Sequence, residues 1–365
     1  MDDTTGWERG KNFSCIYMLD DDMHSIYFYH PWQGERVFEW LYEKGLLWVN
    51  EKLVGANLKE TAAWLVSCPQ AIVTVCTDGK NAWKSKRFLN VVALTVEEDE
   101  DNKFRDRHLV HLRGLTQLRL LDLGHTSLSD EGLSYVEGLS GLTTLYLESN
   151  KITDKGLSYL AGLKNLEVLS LKCNNIRGEG LRHLEGLANL RMLNLNRTMI
   201  TDSCLVYLRR LTNLSALSLQ NTPVTDAGLF YLRGLTSLKS LNLWRTRITD
   251  MGLIHIKDLI NLEELDLYNT SVTDTGLQHL EGLRNLTYLN LMQVRITDEG
   301  LVHLARLKNL KSLYLMGWGI TDAGLRHLEG LTNLERLGLY DTKVTEEGIN
   351  RLKGTLPKCE IYTYP

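Results

Sequence analysis

Leucines recur along most of this chain with one fixed spacing. The pattern L-x-x-L-x-L begins at ten positions that lie 24 residues apart, with no insertion between them. The shared unit reads L-x-x-L-x-L-x-x-T-x-I-T-D-x-G-L-x-x-L-x-G-L-x-N. A constant period of this length predicts a stack of equivalent structural units. The ten units begin at Leu118, Leu142, Leu166, Leu190, Leu214, Leu238, Leu262, Leu286, Leu310 and Leu334.

Each unit predicts one short strand and one short helix. Around L-x-L the residues alternate, so a strand would point its leucines inward and the intervening residues outward. In G-L-x-x-L two leucines share one face of a helical turn, and the preceding Thr and Asp suit an N-cap and a first turn. One unit cannot bury its leucines alone. We therefore expect roughly eleven stacked parallel strands that line a concave face, with the helices on the convex side.

The phrase "ITDxGLxxL" resembles the leucine-rich repeats of the cysteine-containing, F-box-associated type and their bacterial relatives. The resemblance covers residues 118–355 and reaches back to Leu89 through "LNVVALTV", in a first repeat of 29 residues. It implies an α/β fold, a right-handed leucine-rich-repeat solenoid with a small N-terminal α+β capping domain. It also implies use in protein–protein recognition.

A column of Thr and Asn after each strand resembles the internal polar column of that family, whose short side chains bond buried backbone groups. Two adjacent repeats place Val294 and Trp318 there instead. A tryptophan does not fit a small polar position, so either the loop opens or the ring turns outward. The polar members are Thr126, Asn150, Asn174, Thr198, Thr222, Thr246, Thr270 and Thr342.

The two ends of the chain lack the repeat. Residues 1–88 hold six of the eight tryptophans; "RVFEWLYEKGLLWV" and "LKETAAWLVSC" predict amphipathic helices and "AIVTVCTDG" a strand. An end repeat needs a cover, so we expect 1–88 to be an N-terminal cap or small α+β domain. Repeats then occupy 89–355. After Pro357, "CEIYTY" predicts a closing strand within a C-terminal cap at 356–365.

Composition narrows the class of protein. A net charge of -4 argues against a nucleic-acid partner, which favours a basic face. We find no secretory signal in "MDDTTGWERGKN" and no apolar run long enough to span a membrane. The six cysteines are scattered, without a CxxC motif. We therefore expect a cytoplasmic, reduced monomer with no membrane contact.

Candidate catalytic and metal-binding residues have simpler structural explanations. Five histidines occupy one position of "GLxHL" on the convex helices, without carboxylate or Cys ligands at suitable spacing, so we interpret them as a structural column. The acidic run at 97–101 lacks the order of a calcium loop and predicts a solvated loop, or a partner contact at the sheet edge. No nucleophile elbow, P-loop or dinucleotide motif is present, so we expect no cofactor, no metal and no catalytic residue. The histidines are His183, His255, His279, His303 and His327.

The outward strand positions carry the main functional signal. The column after the second strand leucine reads Gly124, Glu148, Lys172, Asn196, Gln220, Trp244, Tyr268, Met292, Met316 and Tyr340. Its second half is entirely aromatic or Met, and a solvent-facing strand position does not need such residues. Exposed apolar patches usually mark interaction sites. The candidate partner-binding residues are Trp244, Tyr268, Met292, Tyr314, Met316, Trp318 and Tyr340, whereas replacement of Asn196 or Gln220 should have little effect.

These observations favour a non-enzymatic scaffold that recognises another protein on the concave face of its C-terminal repeats. A first alternative is a substrate-recognition subunit or effector, such as a ubiquitin-ligase-type adaptor, in which residues 1–88 recruit a second partner. A second alternative is an enzyme with its chemistry in residues 1–88. The only candidates there, His24, His30 and the acids at 20–22, form no recognised motif.

Overall fold

The strands form one open sheet of fourteen members in chain order. The computed structural model describes the strands at 25–28, 71–76 and 90–96 and the chain from 106 to 363, except residues 114 and 117. The strands are β1 Ser25–Phe28, β2 Ala71–Cys76, β3 Asn90–Val96, β4 Leu120–Asp122, β5 Thr144–Tyr146, β6 Val168–Ser170, β7 Met192–Asn194, β8 Ala216–Ser218, β9 Ser240–Asn242, β10 Glu264–Asp266, β11 Tyr288–Leu291, β12 Ser312–Met316, β13 Arg336–Tyr340 and β14 Glu360–Tyr362.

The register follows the 24-residue period. Leu241 aligns with Leu265, and Leu265 aligns with Leu289. From β3 to β14 each strand pairs parallel with the next, whereas β1 and β2 join the sheet as antiparallel strands. The predicted parallel solenoid is confirmed. β2 was expected from "AIVTVC", but β1 was not, because four residues outside any repeat give too weak a pattern.

Short helical segments connect the strands on the convex side, and the leucines of both elements form one continuous core. The α-helices are Asp130–Leu133, Asp226–Leu229, Asp250–Leu253, Asp274–Leu277, Asp298–Leu304, Asp322–Leu325 and Glu346–Thr355. The 3-10 helices are Asp106–Leu112, Gly156–Leu160, Glu179–Leu184, Asp202–Leu208, Phe230–Leu232 and Gln278–Leu280. No helix in this part of the chain has the length and apolar content needed to cross a bilayer.

The Thr/Asn column bonds buried backbone groups, as expected. The hydroxyl of Thr246 donates to the carbonyl oxygen of Leu243 at 2.6 Å. Asn150 does more, because its amide donates to Leu123 O at 2.7 Å while its Oδ1 accepts from Leu128 N at 2.7 Å. These bonds satisfy backbone groups that a turn inside the array would otherwise leave unpaired.

The Asp of "ITDxGL" has a role beyond the first helical turn. Both carboxylate oxygens of Asp226 accept hydrogen bonds from Thr249 in the next repeat, from its backbone N at 2.8 Å and its Oγ1 at 2.6 Å. The same carboxylate leaves room only for glycine three residues after Thr249, since a Cβ on Gly252 would lie 2.4 Å from Asp226 Oδ1. The motif is therefore a junction between repeats, built from the Asp of one and the Thr and Gly of the next.

In seven of the ten units a final asparagine also joins neighbouring repeats. Asn261 Nδ2 donates to Thr236 O at 2.9 Å, and Asn285 Nδ2 donates to Ile260 O at 3.0 Å. Each bond ties the loop before a strand to the corresponding loop of the preceding repeat. Polar links thus accompany the leucine core along the stack.

The C-terminal end matches the expected closing strand. The last helix ends at Thr355, before Pro357, and β14 pairs parallel with β13. The helices predicted in residues 1–88 and the acidic run at 97–101 lie outside the described residues. The domain boundaries at 88/89 and 355/356 stay predictions.

Candidate partner-binding face

Each repeat presents three outward positions on the concave face. We name them the first, middle and last columns, which are Glu264 and Asp266 in β10 and Tyr268 just after that strand. The first column precedes the first strand leucine, the middle column lies between the two leucines, and the last column follows the second. Strand pairing aligns each column across neighbouring repeats, so residues that are 24 apart in sequence become neighbours in space.

The last column forms the aromatic stripe, which we define as Trp244, Tyr268, Met292, Met316 and Tyr340. All five side chains are half-buried. The rings of Trp244 and Tyr268 are 4.8 Å apart between centroids and tilted by 55°. Adjacent aromatic residues of the stripe therefore pack against each other and keep part of their surface open to solvent.

A second pair of tyrosines lies beside the stripe. The rings of Tyr288 and Tyr314 are 5.7 Å apart. Tyr314 and Tyr340 also come together over Gly338, where an added Cβ would lie 2.8 Å from Tyr314 Cδ1 and 2.6 Å from Tyr340 Cε2. The glycine leaves the space that these rings fill. Tyr288 was not among the candidate residues, although its strand position and ring chemistry could have identified it.

Trp318 resolves the choice between an opened loop and an outward ring. Its side chain is 73% exposed, so the ring has turned outward. The backbone differs as well. The residue that precedes the Thr/Asn column has a φ of 53° in Arg245 and Asn269, but a φ of 131° in Gly317. Within the described chain, Trp318 makes no ring contact with the aromatic stripe. Val294, by contrast, fills its position as a buried side chain.

The polar half of the last column contains a residue with a structural role that the sequence does not indicate. Asn196 is only 8% exposed, and its Oδ1 accepts from Ser218 Oγ at 2.6 Å and from Gln220 N at 2.8 Å. Replacement of Asn196 by alanine would remove both bonds, which argues against the expected small effect, and that expectation stays a prediction. The Lys172 side chain is half-buried and makes no hydrogen bond to the described residues, so Lys172 is the better neutral position.

Burial of polar groups in the aromatic region has a cost that hydrogen bonds do not fully offset. The indole nitrogen of Trp244 is buried without an acceptor among the described residues. Burial raises the pKa of the Asp266 carboxyl, although hydrogen bonds from Tyr268 N and Asn290 oppose this effect. Burial, with the nearby Asp266 charge, also raises the pKa of Tyr288 to about 12, so its phenol remains a donor at neutral pH. Such local costs are expected where a surface serves more than folding.

The histidine column lies on the opposite, convex side. His303 Nδ1 is 2.7 Å from Glu281 Oε1, and this hydrogen bond lowers the pKa of Glu281. The ring of His255 packs edge-on against Phe230 at 5.6 Å. No group of three or more His, Cys, Asp or Glu side chains suited to a metal ion occurs in the described part of the chain. The structural role of the column stays a prediction.

Comparison with known proteins agrees with this architecture. The family model described as "Leucine rich repeat" matches residues 140–200 and 236–296. Comparison with curated proteins gives no match. An internalin (inlF) from Listeria monocytogenes is 22% identical, with a TM-score of 0.54, over 86% of this chain and 97% of that chain. Internalin C2 from the same organism is 30% identical, with a TM-score of 0.46, over 57% of this chain and 83% of that chain.

A plant receptor has a similar fold. The Arabidopsis receptor kinase HAESA ectodomain, solved with an N-terminal extended IDA peptide hormone ligand, is 19% identical with a TM-score of 0.56. The match covers 76% of this chain and 46% of the receptor chain, so the protein spans less than half of that ectodomain. The molecule is a solenoid of stacked strand–helix units. Its repeats are leucine-rich repeats, and the chain is a leucine-rich-repeat protein.

Proposed function

We propose that the protein is a recognition scaffold that binds another protein through the concave face of its C-terminal repeats. The observation that carries the proposal is the aromatic stripe, in which five aromatic or Met side chains occupy the same outward column of five consecutive repeats and stay partly exposed. Within each strand the inward leucines form the core, and the N-terminal repeats use Gly, Glu, Lys, Asn and Gln in the column that the stripe occupies. Aromatic and Met residues are enriched in protein interfaces.

Supporting features are a rigid frame and a related fold that binds a peptide. Half-buried rings that pack on each other lose little conformational freedom when a partner binds, which favours affinity. The HAESA ectodomain has this fold and was solved with a peptide hormone. That analogy concerns the fold and not the site. Assignment to the F-box-associated type of repeat remains part of this proposal.

The test begins with a displayed library of random peptides, selected on the intact protein. Dissociation constants of the selected peptides are then measured for the native chain, for a Trp244→Ala and Tyr268→Ala double variant, and for Lys172→Ala as the matched control in the polar half. Loss of a central aromatic residue should cost on the order of 2 kcal/mol, roughly thirtyfold in affinity. The control should bind like the native protein.

Stability is measured in parallel, because half-buried rings also contribute to packing. Circular dichroism should show that the double variant is folded at the temperature of the binding measurements. Selected peptides that bind the double variant as well as the native chain would contradict the proposal, and the aromatic stripe would then be packing alone.

A further inference from the structure

The charge on Asp266 is not needed by the fold. Its Oδ1 accepts a hydrogen bond from Tyr268 N at 2.9 Å. In the two flanking repeats an uncharged asparagine accepts the equivalent hydrogen bond. Asn242 Oδ1 accepts from Trp244 N at 2.9 Å, and Asn290 Oδ1 accepts from Met292 N at 3.1 Å. A neutral amide oxygen therefore accepts this hydrogen bond as the Asp266 carboxylate does, and the bond needs no negative charge.

The fold contributes no cation to balance this charge. Among the described residues, no Lys or Arg forms an ion pair with Asp266 or with Glu264, its neighbour in the first column. The three concave columns of β8 to β12 contain no Lys, Arg or His at all. Glu264 is held by Ser240, whose hydroxyl donates to Glu264 Oε2 at 2.8 Å. This part of the face therefore carries two negative charges and no positive charge.

Aromatic residues neighbour the two carboxylates along and across the strands. Tyr268 lies two residues after Asp266, just beyond the end of β10, and its ring packs on Trp244. Tyr288 aligns with Glu264 across the strand pair. The Asp266 carboxylate is partly buried, which strengthens its attraction to an incoming cation, whereas Glu264 is exposed. Aromatic faces attract the same cations through their negative π surfaces.

From this arrangement we infer that the concave face binds a partner segment through an arginine side chain, placed between the Asp266 and Glu264 carboxylates and against the Tyr268 and Tyr288 rings. Arginine fits better than lysine because its planar guanidinium stacks on aromatic rings and carries five donors that can reach two carboxylates. Apolar residues beside the arginine would cover Met292 and Trp244. The inference rests on the proposed function and specifies the chemistry of the partner.

The peptides selected from the random library provide the probe. Those selected on the native protein should be enriched in arginine, and those selected on a Glu264→Gln and Asp266→Asn double variant should not be. For a single arginine-bearing peptide, the double variant should weaken binding about tenfold or more. Replacing the arginine of the peptide by glutamine should weaken binding to the native protein by the same factor, with little further loss on the double variant.

The controls separate the charge from the fold. Asp266→Asn reproduces the residue of the flanking repeats, so the variant should fold like the native chain. Asp122→Asn makes the same change in the same column, outside the aromatic region, and should leave the affinity unchanged. Asp122 Oδ1 likewise accepts a backbone hydrogen bond, from Gly124 N at 3.0 Å.

Each outcome decides a separate point. Peptides that require Trp244 and Tyr268 but carry no arginine would overturn the inference and leave the proposed function in place. Arginine-bearing peptides that bind the Glu264→Gln and Asp266→Asn variant without loss would overturn it as well. A library that gives no peptide dependent on the aromatic rings would contradict both.

Discussion

The side chain of Cys204 occupies the space above Gly178, where a Cβ on the glycine would lie 2.5 Å from both Cys204 Cβ and Sγ. Gly178 stands where neighbouring repeats have the junction Asp, and Cys204 stands where they have the junction Gly. The two departures from the motif fall one repeat apart, on the two sides of one junction. The missing carboxylate and the added thiol therefore compensate each other in volume.

This compensation predicts energetic coupling between the two positions. Cys204→Gly should lower the melting temperature, because it removes a buried side chain and leaves a cavity. Gly178→Asp alone should also be destabilising, since its Cβ would collide with the Cys204 side chain and the φ of 115° at Gly178 disfavours any side chain. The double variant should be more stable than the sum of the single effects predicts, because it removes the collision between the two side chains. Thermal unfolding of all four proteins measures the coupling. Additive effects would show that the two positions do not interact.

A regular junction should be sensitive to loss of its Asp. Asp250 accepts from Thr273 N at 2.7 Å and from Thr273 Oγ1 at 2.6 Å. Asp250→Ala should cost about 2 kcal/mol of unfolding free energy, since it removes two hydrogen bonds to a charged group. Asp258→Ala, at an exposed site with no such partner in the described chain, is the matched control and should be near neutral. Denaturant unfolding measures both, and equal stabilities would contradict the junction.

The junction glycine should tolerate no side chain. A Cβ on Gly276 would lie 2.3 Å from Asp250 Oδ1, so Gly276→Ala must displace the carboxylate from Thr273. We expect a lower denaturant midpoint for this variant. Gly234→Ala serves as the control, because no atom lies within 4 Å of its added Cβ. If Gly276→Ala retained the native midpoint, the carboxylate would not be held as described.

The raised pKa of Asp266 has a defined effect on stability. The folded state holds the Asp266 proton more tightly than the unfolded state, whose carboxyl pKa is about 3.9. Stability from this group therefore falls as the pH rises from about 3.9 through the raised folded pKa, and the ionised form is a net cost at neutral pH. Asp266→Asn should raise the melting temperature at pH 7, with a smaller gain at pH 3. A variant that melts below the native chain at pH 7 would contradict this prediction.

Trp318 should contribute little to folding. Its ring is 73% exposed, and exposed substitutions change stability by about 0.5 kcal/mol or less. Trp318→Ala should therefore melt like the native chain, whereas Trp244→Ala should melt lower because that ring is half-buried against Tyr268. A large loss in Trp318→Ala would show that the ring packs against residues outside the described part of the chain.

The convex histidines should not form a metal site. Zinc titration followed by calorimetry should show no stoichiometric binding, and His279→Gln should show the same thermal shift with zinc as the native protein. A tight one-to-one site that His279→Gln removes would replace the structural interpretation with a metal centre.

The fold could be predicted because its period is constant. With L-x-x-L-x-L at every 24 residues, strand register and the inward face follow directly, and the aromatic stripe follows from register. The junction role of Asp250 could not be read in the same way, because "TD" also describes an ordinary helix start. Its partner, Thr273, lies 23 residues away in the sequence, and only the packed structure shows that the two residues are in contact. The Gly178–Cys204 pair was the available signal, since both exceptions to the motif occur across one junction.

Two further features could not be predicted from the sequence, because they depend on local backbone conformation and on burial by neighbouring side chains. The outward ring of Trp318 depends on the φ of Gly317, which the sequence pattern does not encode. Asn196 lies at an outward strand position, yet neighbouring polar side chains cover it. Neither effect is visible in an alternation of apolar and polar residues, because each depends on the size and reach of the adjacent repeats' side chains.

The pairing of the Asp of a regular junction with a Thr in the following repeat makes the array modular. Removal of residues 250–273 would delete Asp250 together with its partner Thr273, and it would leave Asp226 bonded to Thr249 and Asp274 to Thr297. Units can thus be lost or gained without creating a mismatched boundary. The length of such a chain is free to vary, and with it the number of strands that contribute to the recognition surface and the span of the partner that it can hold.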